Sequence, residues 1–445
     1  MLSLMFTHEK LRFLLEKYSD SVNFWISYSG GLDSQVLLHA LKHLLPVTRL
    51  RAIHINHSWH VDAIKWAERC QHSCEQLGIY CEVITVDARP KAGESPEAYA
   101  RQARYKAIAK RIPAGDYLLT AHHRDDQAET LLLQLLRGSG LRGLASMPFC
   151  QPFAKAYLMR PLLKFSRAEL YAYAKEQQLI WIEDSSNMDL RFNRNFIRHQ
   201  VLTLIQQRWP QANKTLARTA ENTSEAHCLL EEIAYEDWRA VQGPVFNTLI
   251  ISCLLGLSVA RRRNVLRYWL SRLNFPIPSQ KQLQQIEALL VSKVDASPQV
   301  NWGGVQLRRY RDTLYALTLE NEQTLLNSAI PWVLNQTLLL PRLGLLTASK
   351  ILGQGLTCSL MEERQVQVSF RHGGERFYSS DRLGSQQIKK LFQEWAVPPW
   401  QRNKIPLIFY QQELIAVAGY GVHADFAAKQ NELGLVIKLV PIQPN

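Results

Sequence analysis

The chain has 445 residues, 47% hydrophobic and 20% charged, and its 52 lysines and arginines against 39 acidic residues leave a formal charge of +13. This length is too great for one hydrophobic core and, at roughly 150 residues per domain, predicts about three domains, while the excess of base favours a polyanionic partner. The 7 cysteines are scattered without a Cys-x-x-Cys pair, which argues against a disulfide framework or a thiolate metal site. Because no membrane-length apolar run or export signal is present, we expect a cytoplasmic protein.

Short apolar runs alternate with helical patterns over residues 22–182, which predicts an α/β fold with a doubly wound parallel sheet covered on both faces. The predicted strands are residues 22–27, 50–55, 81–86 and 117–120. The predicted helices are residues 34–45, 63–77, 96–111 and 125–137. Ligands of such sheets bind beyond the carboxyl ends of the strands, so the loops after residues 27 and 120 are candidates for a binding site.

The rest of the chain divides into a connector and two further units. A helical pattern covers residues 167–178, a polar and basic segment covers 185–199, and a long helical pattern runs from 209 to 238. Two helices at 259–273 and 280–292 precede a strand pair near 300–319, and the last unit has β-like ends and one helix at 385–395. We therefore predict a first domain at 1–210, a helical linker at 211–240, and two smaller α/β or α+β domains at 241–325 and 335–445.

The turn after the first predicted strand has the composition of a phosphate-binding loop. It consists of Ser29, Gly30, Gly31, Leu32, Asp33 and Ser34. Two glycines allow a tight bend and a close approach of the backbone to an anion, and the first amides of the following helix point toward it. The lysine of a Walker A loop is missing. The pattern resembles instead the loop of ATP pyrophosphatases, which transfer AMP and release diphosphate.

A second polar group follows the predicted strand 117–120. Asp125 suits the N-cap of the next helix and acidic residues suit its first turn, so capping accounts for part of the pattern. Asp126 and Glu129 are three apart and share one helix face, which offers paired carboxylates to an ammonium group or a metal ion. His123 is within reach of the same opening. We therefore predict a ligand site beside the phosphate-binding loop.

Three groups of basic residues are candidates for binding a polyanion. Arg101 and Arg104 share one side of a predicted helix, where a solvated face is the alternative to holding phosphate. Arg191, Arg194 and Arg198 recur at about helical spacing, so one face could follow a phosphate backbone, although a solvated loop also fits. The last unit adds Arg371, Arg376, Lys389 and Lys390. Together these groups favour a structured RNA.

These blocks, in this order, resemble the tRNA(Ile)-lysidine synthase family of the PP-loop ATP pyrophosphatase superfamily. The matching segments are residues 29–34, 97–105, 123–130, 137–140, 160–163, 181–198, 370–377 and 390–400. The sequence departs from the family pattern at residues 58–60, where a glycine-containing turn is expected, and at Thr203, where a proline is usual.

The resemblance implies an adenine-nucleotide alpha-hydrolase-like first domain and a ligase that forms a carbon–nitrogen bond. Such an enzyme joins L-lysine to C2 of the wobble cytidine of the isoleucine tRNA with a CAU anticodon. The reaction passes through an adenylated cytidine, converts ATP into AMP and diphosphate, and changes codon reading from AUG to AUA. ATP and Mg²⁺ are the implied cofactors.

The same resemblance implies the roles of individual residues. Residues 29–34 bind ATP, with Asp33 also at the metal, and His123, Asp126 and Glu129 bind the substrate lysine. The implied catalytic residues are Asp33, Arg104, Asp126, Glu129 and Arg194. The implied tRNA-binding residues are Arg191, Arg194, Arg198, Arg371, Arg376, Lys389 and Lys390, and the domains at 241–325 and 335–445 both bind tRNA.

Three alternatives differ in what they require of the sequence. A tRNA sulfur transferase uses the same loop but needs catalytic cysteines or an iron–sulfur cluster, for which no Cys-x-x-Cys pair is present. An amide-forming ligase would not need two basic C-terminal domains. A non-catalytic RNA-binding protein leaves Asp33, Asp126 and Glu129 unexplained, because carboxylates are unfavourable at an anion site without a compensating cation. The sequence allows a homodimer without deciding the oligomeric state.

Overall fold

The computed structural model describes residues 6–16, 18, 22–56, 62–87, 96–292, 298–319, 329–341, 343–361, 364–380 and 384–440. The departure from the family pattern at residues 58–60 lies outside this described part. The chain forms two compact units, Met1–Asp237 and Trp238–Asn445. Among the described residues, no helix combines the length and apolar character that crossing a membrane requires.

The first unit is built on a 6-stranded sheet with the order β3-β2-β1-β4-β6-β5. Its strands are β1 (Phe24–Ser27), β2 (Leu50–Asn56), β3 (Tyr80–Thr85), β4 (Tyr117–Leu119), β5 (Cys150–Phe153) and β6 (Ala156–Met159). All neighbouring pairs are parallel except β5 and β6, which form an antiparallel hairpin. The strand order reverses between β1 and β4, so the loops that follow these two strands open on one crevice.

Helices cover both faces of this sheet. The helices that begin in this unit are α1 (His8–Leu15), α2 (Leu32–Leu44), α3 (Ala63–Gln76), α4 (Pro96–Ala109), α5 (Arg124–Leu136), α6 (Leu141–Leu144), α7 (Arg167–Glu176), α8 (Asn193–Phe196), α9 (Leu202–Arg208) and α10 (Ala212–Val241). Side chains of β1 alternate between two hydrophobic clusters: Phe24 and Ile26 belong to one, and Trp25 belongs to the other. The predicted doubly wound α/β sheet is therefore confirmed.

Two local features of the first unit differ from the sequence prediction. The N-cap of α5 is His123 and not Asp125. The Asp125 carboxylate instead accepts hydrogen bonds from Arg167 N at 2.8 Å and from Asn213 Nδ2 at 2.5 Å, which ties the starts of α7 and α10 to α5. The β5–β6 hairpin was not predicted, because its strands are only four residues long and its turn residue Ala154 has an unfavourable positive φ of 51°.

The second unit contains smaller sheets with helices, as predicted, and the structure shows that these sheets are antiparallel. Strands β7 (Thr248–Ile250), β8 (Gln299–Trp302), β9 (Val305–Tyr310) and β10 (Thr313–Thr318) form a sheet with the order β7-β10-β9-β8. Three helices accompany this sheet: α11 (Ile251–Gly256), α12 (Val259–Arg272) and α13 (Gln280–Val291). Trp269 is the largest of the fully buried side chains in their common core.

The described residues of the last part of the chain form further antiparallel sheets and three short helices. One sheet has the order β11-β15-β18-β19-β20, a second β12-β13-β21-β14, and a third pairs β16 with β17. Their strands are β11 (Ile330–Val333), β12 (Leu338–Leu340), β13 (Gly344–Leu352), β14 (Leu356–Thr357), β15 (Gln365–Ser369), β16 (Arg376–Phe377), β17 (Gln386–Gln387), β18 (Leu407–Tyr410), β19 (Glu413–Val417), β20 (Gly421–Val422) and β21 (Leu433–Val440). The helices are α14 (Cys358–Met361), α15 (Ile388–Glu394) and α16 (Pro399–Arg402).

Candidate active site

The loop between β1 and α2 contains two glycines with different structural requirements. Gly30 has a φ of +76°, and an added Cβ would lie 2.7 Å from Ile182 Cδ1 and 2.8 Å from Cys70 Sγ. Gly31 has an ordinary φ of −73°, and a Cβ there would approach Ser29 Oγ no closer than 3.5 Å. Packing within the protein therefore requires glycine at position 30 but not at position 31. A close approach of a ligand to the backbone would explain the glycine at position 31.

Serine side chains hold this loop in shape. Ser29 Oγ and Ser34 Oγ lie 3.1 Å apart, and the Ser34 hydroxyl donates to the Gly31 carbonyl at 3.0 Å. The Gly30 carbonyl accepts a hydrogen bond of 2.9 Å from Ile182 N. Within the described residues, no side chain caps the N-terminus of α2, so its first amides can bind an anion.

Asp33 lies in the first turn of α2 and has one oxygen suited to a cation. Its Oδ1 is buried without a hydrogen-bond partner among the described residues, whereas Oδ2 faces His123 Nε2 at 3.6 Å. Burial raises the pKa of Asp33, and the neighbouring His123 opposes this effect. A buried, unpaired carboxylate oxygen beside a phosphate-binding loop fits a magnesium ion, which prefers oxygen ligands.

His123 connects the loop to helix α5. Its Nδ1 accepts hydrogen bonds from the backbone amides of Asp125 at 3.2 Å and Asp126 at 3.4 Å. Nδ1 therefore carries no proton, and Nε2 carries the proton of the ring. Nε2 lies 3.6 Å from Asp33 Oδ2 and 3.4 Å from Asp126 Oδ2. One buried imidazole thus bridges the carboxylate of the loop and the first carboxylate of the acidic pair.

Asp126 and Glu129 lie on the same face of α5 and are 8% and 1% exposed. Two arginines from the polar segment hold them. Arg194 donates from Nε to Glu129 Oε2 at 2.7 Å and from Nη2 to Asp126 Oδ1 at 3.0 Å. Arg198 donates from Nε to Glu129 Oε1 at 2.5 Å, and from Nη2 to Glu129 Oε2 at 3.0 Å and Asp126 Oδ1 at 3.1 Å.

This network of two acids and two arginines has no net charge. Burial works to raise the pKa of Asp126, but His123 and Arg194 outweigh it and hold that pKa below its usual range. Asp126 therefore remains ionised, which keeps it suited to binding a cation.

Arg104 of α4 lies near the same network. Its guanidinium carbon lies 5.4 Å from the ring centre of Tyr105, and that of Arg101 lies 5.1 Å from it. Burial lowers the pKa of Arg104, and the positive charges of Arg101 and Arg194 contribute to this decrease. No carboxylate in the described part of the chain pairs with Arg104. A guanidinium of this kind can bind a negatively charged group of a substrate.

Two residues that were not singled out from the sequence lie close to this pocket. His122 Nδ1 lies 2.8 Å from Thr120 Oγ1, and burial holds the pKa of His122 well below its usual value. Arg160 is 3% exposed and donates from Nη1 to the Pro148 carbonyl at 2.7 Å. Both residues fall in or beside segments that match the family, and this match was the feature of the sequence that could have pointed to them. What the sequence could not show was the burial of both residues and the interaction of His122 with Asp126.

The other predicted tRNA-binding residues lie outside this network. Arg191 is 90% exposed and pairs with Asp189 at 2.7 Å. In the second unit, the Arg371 guanidinium lies 4.0 Å from Glu375, and Arg376 donates to the Ser385 carbonyl at 2.7 Å. The two remaining side chains, Lys389 and Lys390, are exposed on α15.

Comparison with protein families agrees with this arrangement. The model described as "PP-loop domain" matches residues 5–205, "TilS substrate binding domain" matches 249–315, and "TilS substrate C-terminal domain" matches 366–439. The strand–loop–helix unit at the point of strand reversal and the first of these matches define the amino-terminal region as a PP-loop ATP-binding domain.

Known proteins extend the similarity over nearly the whole chain. The tRNA(Ile)-lysidine synthase of Coxiella burnetii is 40% identical, covering 99% of this chain and 98% of that protein. The enzyme of the same name from Alkalilimnicola ehrlichii is 39% identical over 91% of both chains. That of Yersinia pseudotuberculosis (strain IP 31758) is 40% identical over 94% of this chain and 96% of its own. The chain belongs to the tRNA(Ile)-lysidine synthase family, which confirms the resemblance seen in its sequence.

Proposed function

We propose that this protein joins L-lysine to C2 of the wobble cytidine in the isoleucine tRNA with a CAU anticodon. The product, lysidine, changes codon reading from AUG to AUA, and ATP is converted into AMP and diphosphate. The observation that carries the proposal is the bridge formed by His123, which brings Asp33 of the phosphate-binding loop and Asp126 of the acidic pair within 3.6 Å and 3.4 Å of one imidazole nitrogen. This arrangement suits an activation step and an amine-transfer step in one crevice.

In the first step, O2 of the cytosine attacks the α-phosphorus of ATP. The bond from this phosphorus to the bridging oxygen of the β-phosphate breaks, and diphosphate leaves. Residues 29–34 bind the phosphates through backbone amides and the Ser29 and Ser34 hydroxyls. Asp33 would hold Mg²⁺ through its unpaired Oδ1, and such an ion would neutralise charge on the phosphates. The adenylated oxygen is then a good leaving group.

In the second step, the ε-amine of lysine attacks C2, and the bond from C2 to the adenylated oxygen breaks to release AMP. Asp126 and Glu129 orient the ammonium group of lysine and are the groups placed to receive its proton, with His123 nearby. Arg104 and Arg194 neutralise negative charge that develops during the transfers. Substrate selection thus depends on α5, and activation depends on the loop.

We assign tRNA binding to the basic residues outside the loop. They are Arg191, Arg194, Arg198, Arg371, Arg376, Lys389 and Lys390. Residues 1–210 form the catalytic domain, 211–240 a linker, and 241–325 and 335–445 the tRNA-binding domains in this proposal. The residues assigned to catalysis all belong to one chain, and the oligomeric state stays open, with a homodimer possible. A tRNA substrate fits a protein of the cytoplasm.

The function can be tested with one assay. The protein is incubated with ATP, labelled lysine and transcripts of isoleucine and methionine tRNAs that share the CAU anticodon. We expect label only in the isoleucine tRNA, with AMP released in equal amount. No label in either transcript would refute the proposed activity, and equal label in both would refute the proposed specificity.

A further inference from the structure

All four oxygens of the acidic pair are already engaged by protein donors. Asp126 Oδ2 accepts a hydrogen bond of 2.9 Å from His123 N, and Asp126 Oδ1 accepts from both Arg194 and Arg198. Among the described residues, the two arginines supply the donors to the Glu129 oxygens. An incoming ammonium group would therefore compete with these donors for the carboxylates.

The hydrogen bonds distinguish the two arginines. Among the described residues, Glu129 Oε1 is bound by Arg198 alone, at 2.5 Å, whereas Glu129 Oε2 and Asp126 Oδ1 are each bound by both arginines. Withdrawal of Arg194 would leave Glu129 Oε2 and Asp126 Oδ1 still bound by Arg198. Withdrawal of Arg198 would remove the donor to Glu129 Oε1 and leave Glu129 Oε2 and Asp126 Oδ1 bound by Arg194. Only the second movement opens a position for an ammonium group.

The backbone around Arg198 is suited to such a movement. Residues Ile197–Val201 form a π-helical turn between α8 and α9. Turns of this kind accommodate an extra residue within a helix and are frequent at functional sites. The Arg198 side chain is 22% exposed, so its guanidinium lies at the border of the buried network and the surface.

We propose that Arg198 occupies the position of the lysine ε-ammonium group and that lysine binds by displacing it. This inference rests on the proposed lysine site at Asp126 and Glu129. The exchange of one cation for another leaves the buried network without net charge, as it is in the structure. The released guanidinium can then bind a phosphate of the tRNA beside Arg191, so lysine and tRNA strengthen each other's binding.

Equilibrium dialysis with labelled lysine and the full chain, without ATP, tests this exchange. Arg198→Gln removes the competing cation, so we expect it to bind lysine about 10-fold more tightly than the wild type, roughly the effect of one charge-assisted hydrogen bond. Addition of tRNA should tighten lysine binding in the wild type but not in Arg198→Gln. The matched control is Arg208→Gln, which removes the same charge from an exposed position at the end of α9 and should bind lysine as the wild type does.

Equal or weaker lysine binding by Arg198→Gln would overturn the proposal and make Arg198 a fixed part of the lysine site. Arg198→Lys keeps the charge but cannot make three hydrogen bonds from a planar group, so it should bind lysine about 3-fold more tightly than the wild type. If Arg198→Gln does not fold, equal or weaker binding by Arg198→Lys overturns the proposal instead. Failure of the lysine site itself has a separate signature, because Asp126→Asn would then bind lysine with unchanged affinity.

Discussion

Gly30 and Gly31 are adjacent and identical, yet they serve different purposes. At Gly30 the positive φ and the contacts with Ile182 and Cys70 exclude a side chain. We expect Gly30→Ala to lower the free energy of unfolding by about 1–3 kcal/mol, because it combines backbone strain with overpacking. Gly31→Ala should fold normally and raise the KM for ATP about 10-fold or more. Thermal unfolding and AMP release measure the two effects, and an unchanged KM for Gly31→Ala would contradict the proposed closeness of the phosphates to its backbone.

His123 combines a structural bond and a functional one on opposite nitrogens. Asn is also a good N-cap, so His123→Asn should retain the start of α5 while it loses the Nε2 bridge between Asp33 and Asp126. We expect stability near that of the wild type and a fall in kcat of about 10–100-fold. His123→Ala should in addition lose about 1 kcal/mol of stability. Wild-type turnover by His123→Asn would show that the bridge has no role in the reaction.

At the scale of elements, α2 is joined to α1 and α7 by a group of histidines. The Tyr173 hydroxyl lies 2.6 Å from His8 Nε2 and 2.9 Å from His39 Nδ1. Burial, with help from the charges of His43, His8 and Lys42, lowers the pKa of His39 to about 4 from 6.5. His39 therefore binds a proton more readily in the unfolded chain than in the folded one. The stabilisation that neutral His39 gives the folded protein is complete above pH 6.5 and is lost as the pH falls toward 4.

Urea unfolding at several pH values measures this effect. We expect the midpoint of the wild type to fall between pH 7 and pH 5, and that of His39→Asn to fall less, because Asn can replace the bond to Tyr173 without titrating. Parallel pH profiles for the two proteins would assign the acid sensitivity to other groups.

The elements also show what the sequence could and could not predict. Strong apolar periodicity predicted β1, β2 and α2 nearly to their observed ends, and the glycines marked the loop between β1 and α2. The two short strands β5 and β6 carry too few residues for a periodic signal. The π-helical turn at Ile197–Val201 is a local irregularity that helical spacing in the sequence does not predict. As a result, the spacing of Arg198 suggested RNA binding or a solvated loop, whereas its bonds to Glu129 became visible only in three dimensions.

At the scale of the whole molecule, the proposed division of labour predicts that catalysis and tRNA binding can be separated. Asp33→Asn should abolish AMP formation and leave tRNA affinity within about 2-fold, because the loop contributes little to RNA binding. The double variant Lys389→Gln and Lys390→Gln should weaken tRNA binding. A plot of the logarithm of its binding constant against the logarithm of the salt concentration should be less steep, by about 0.7–0.9 for each phosphate that the protein no longer neutralises. Filter binding over a range of salt concentrations measures both variants. Loss of tRNA affinity in Asp33→Asn would contradict the division.

The thiol of Cys70 packs beside Gly30, so its reaction with an alkylating reagent can be used to follow the phosphate-binding loop without an introduced label. Cys70 is 0% exposed, and burial raises its pKa to about 12, so the thiol is protonated and unreactive toward alkylating reagents while the loop is closed. Its rate of alkylation therefore reports how often this region opens. We expect ATP to slow the labelling of Cys70 while the exposed Cys228 and Cys253 react at unchanged rates as internal references. Mass spectrometry of peptides measures all three rates, and an effect of ATP on the reference cysteines alone would show that nucleotide acts elsewhere.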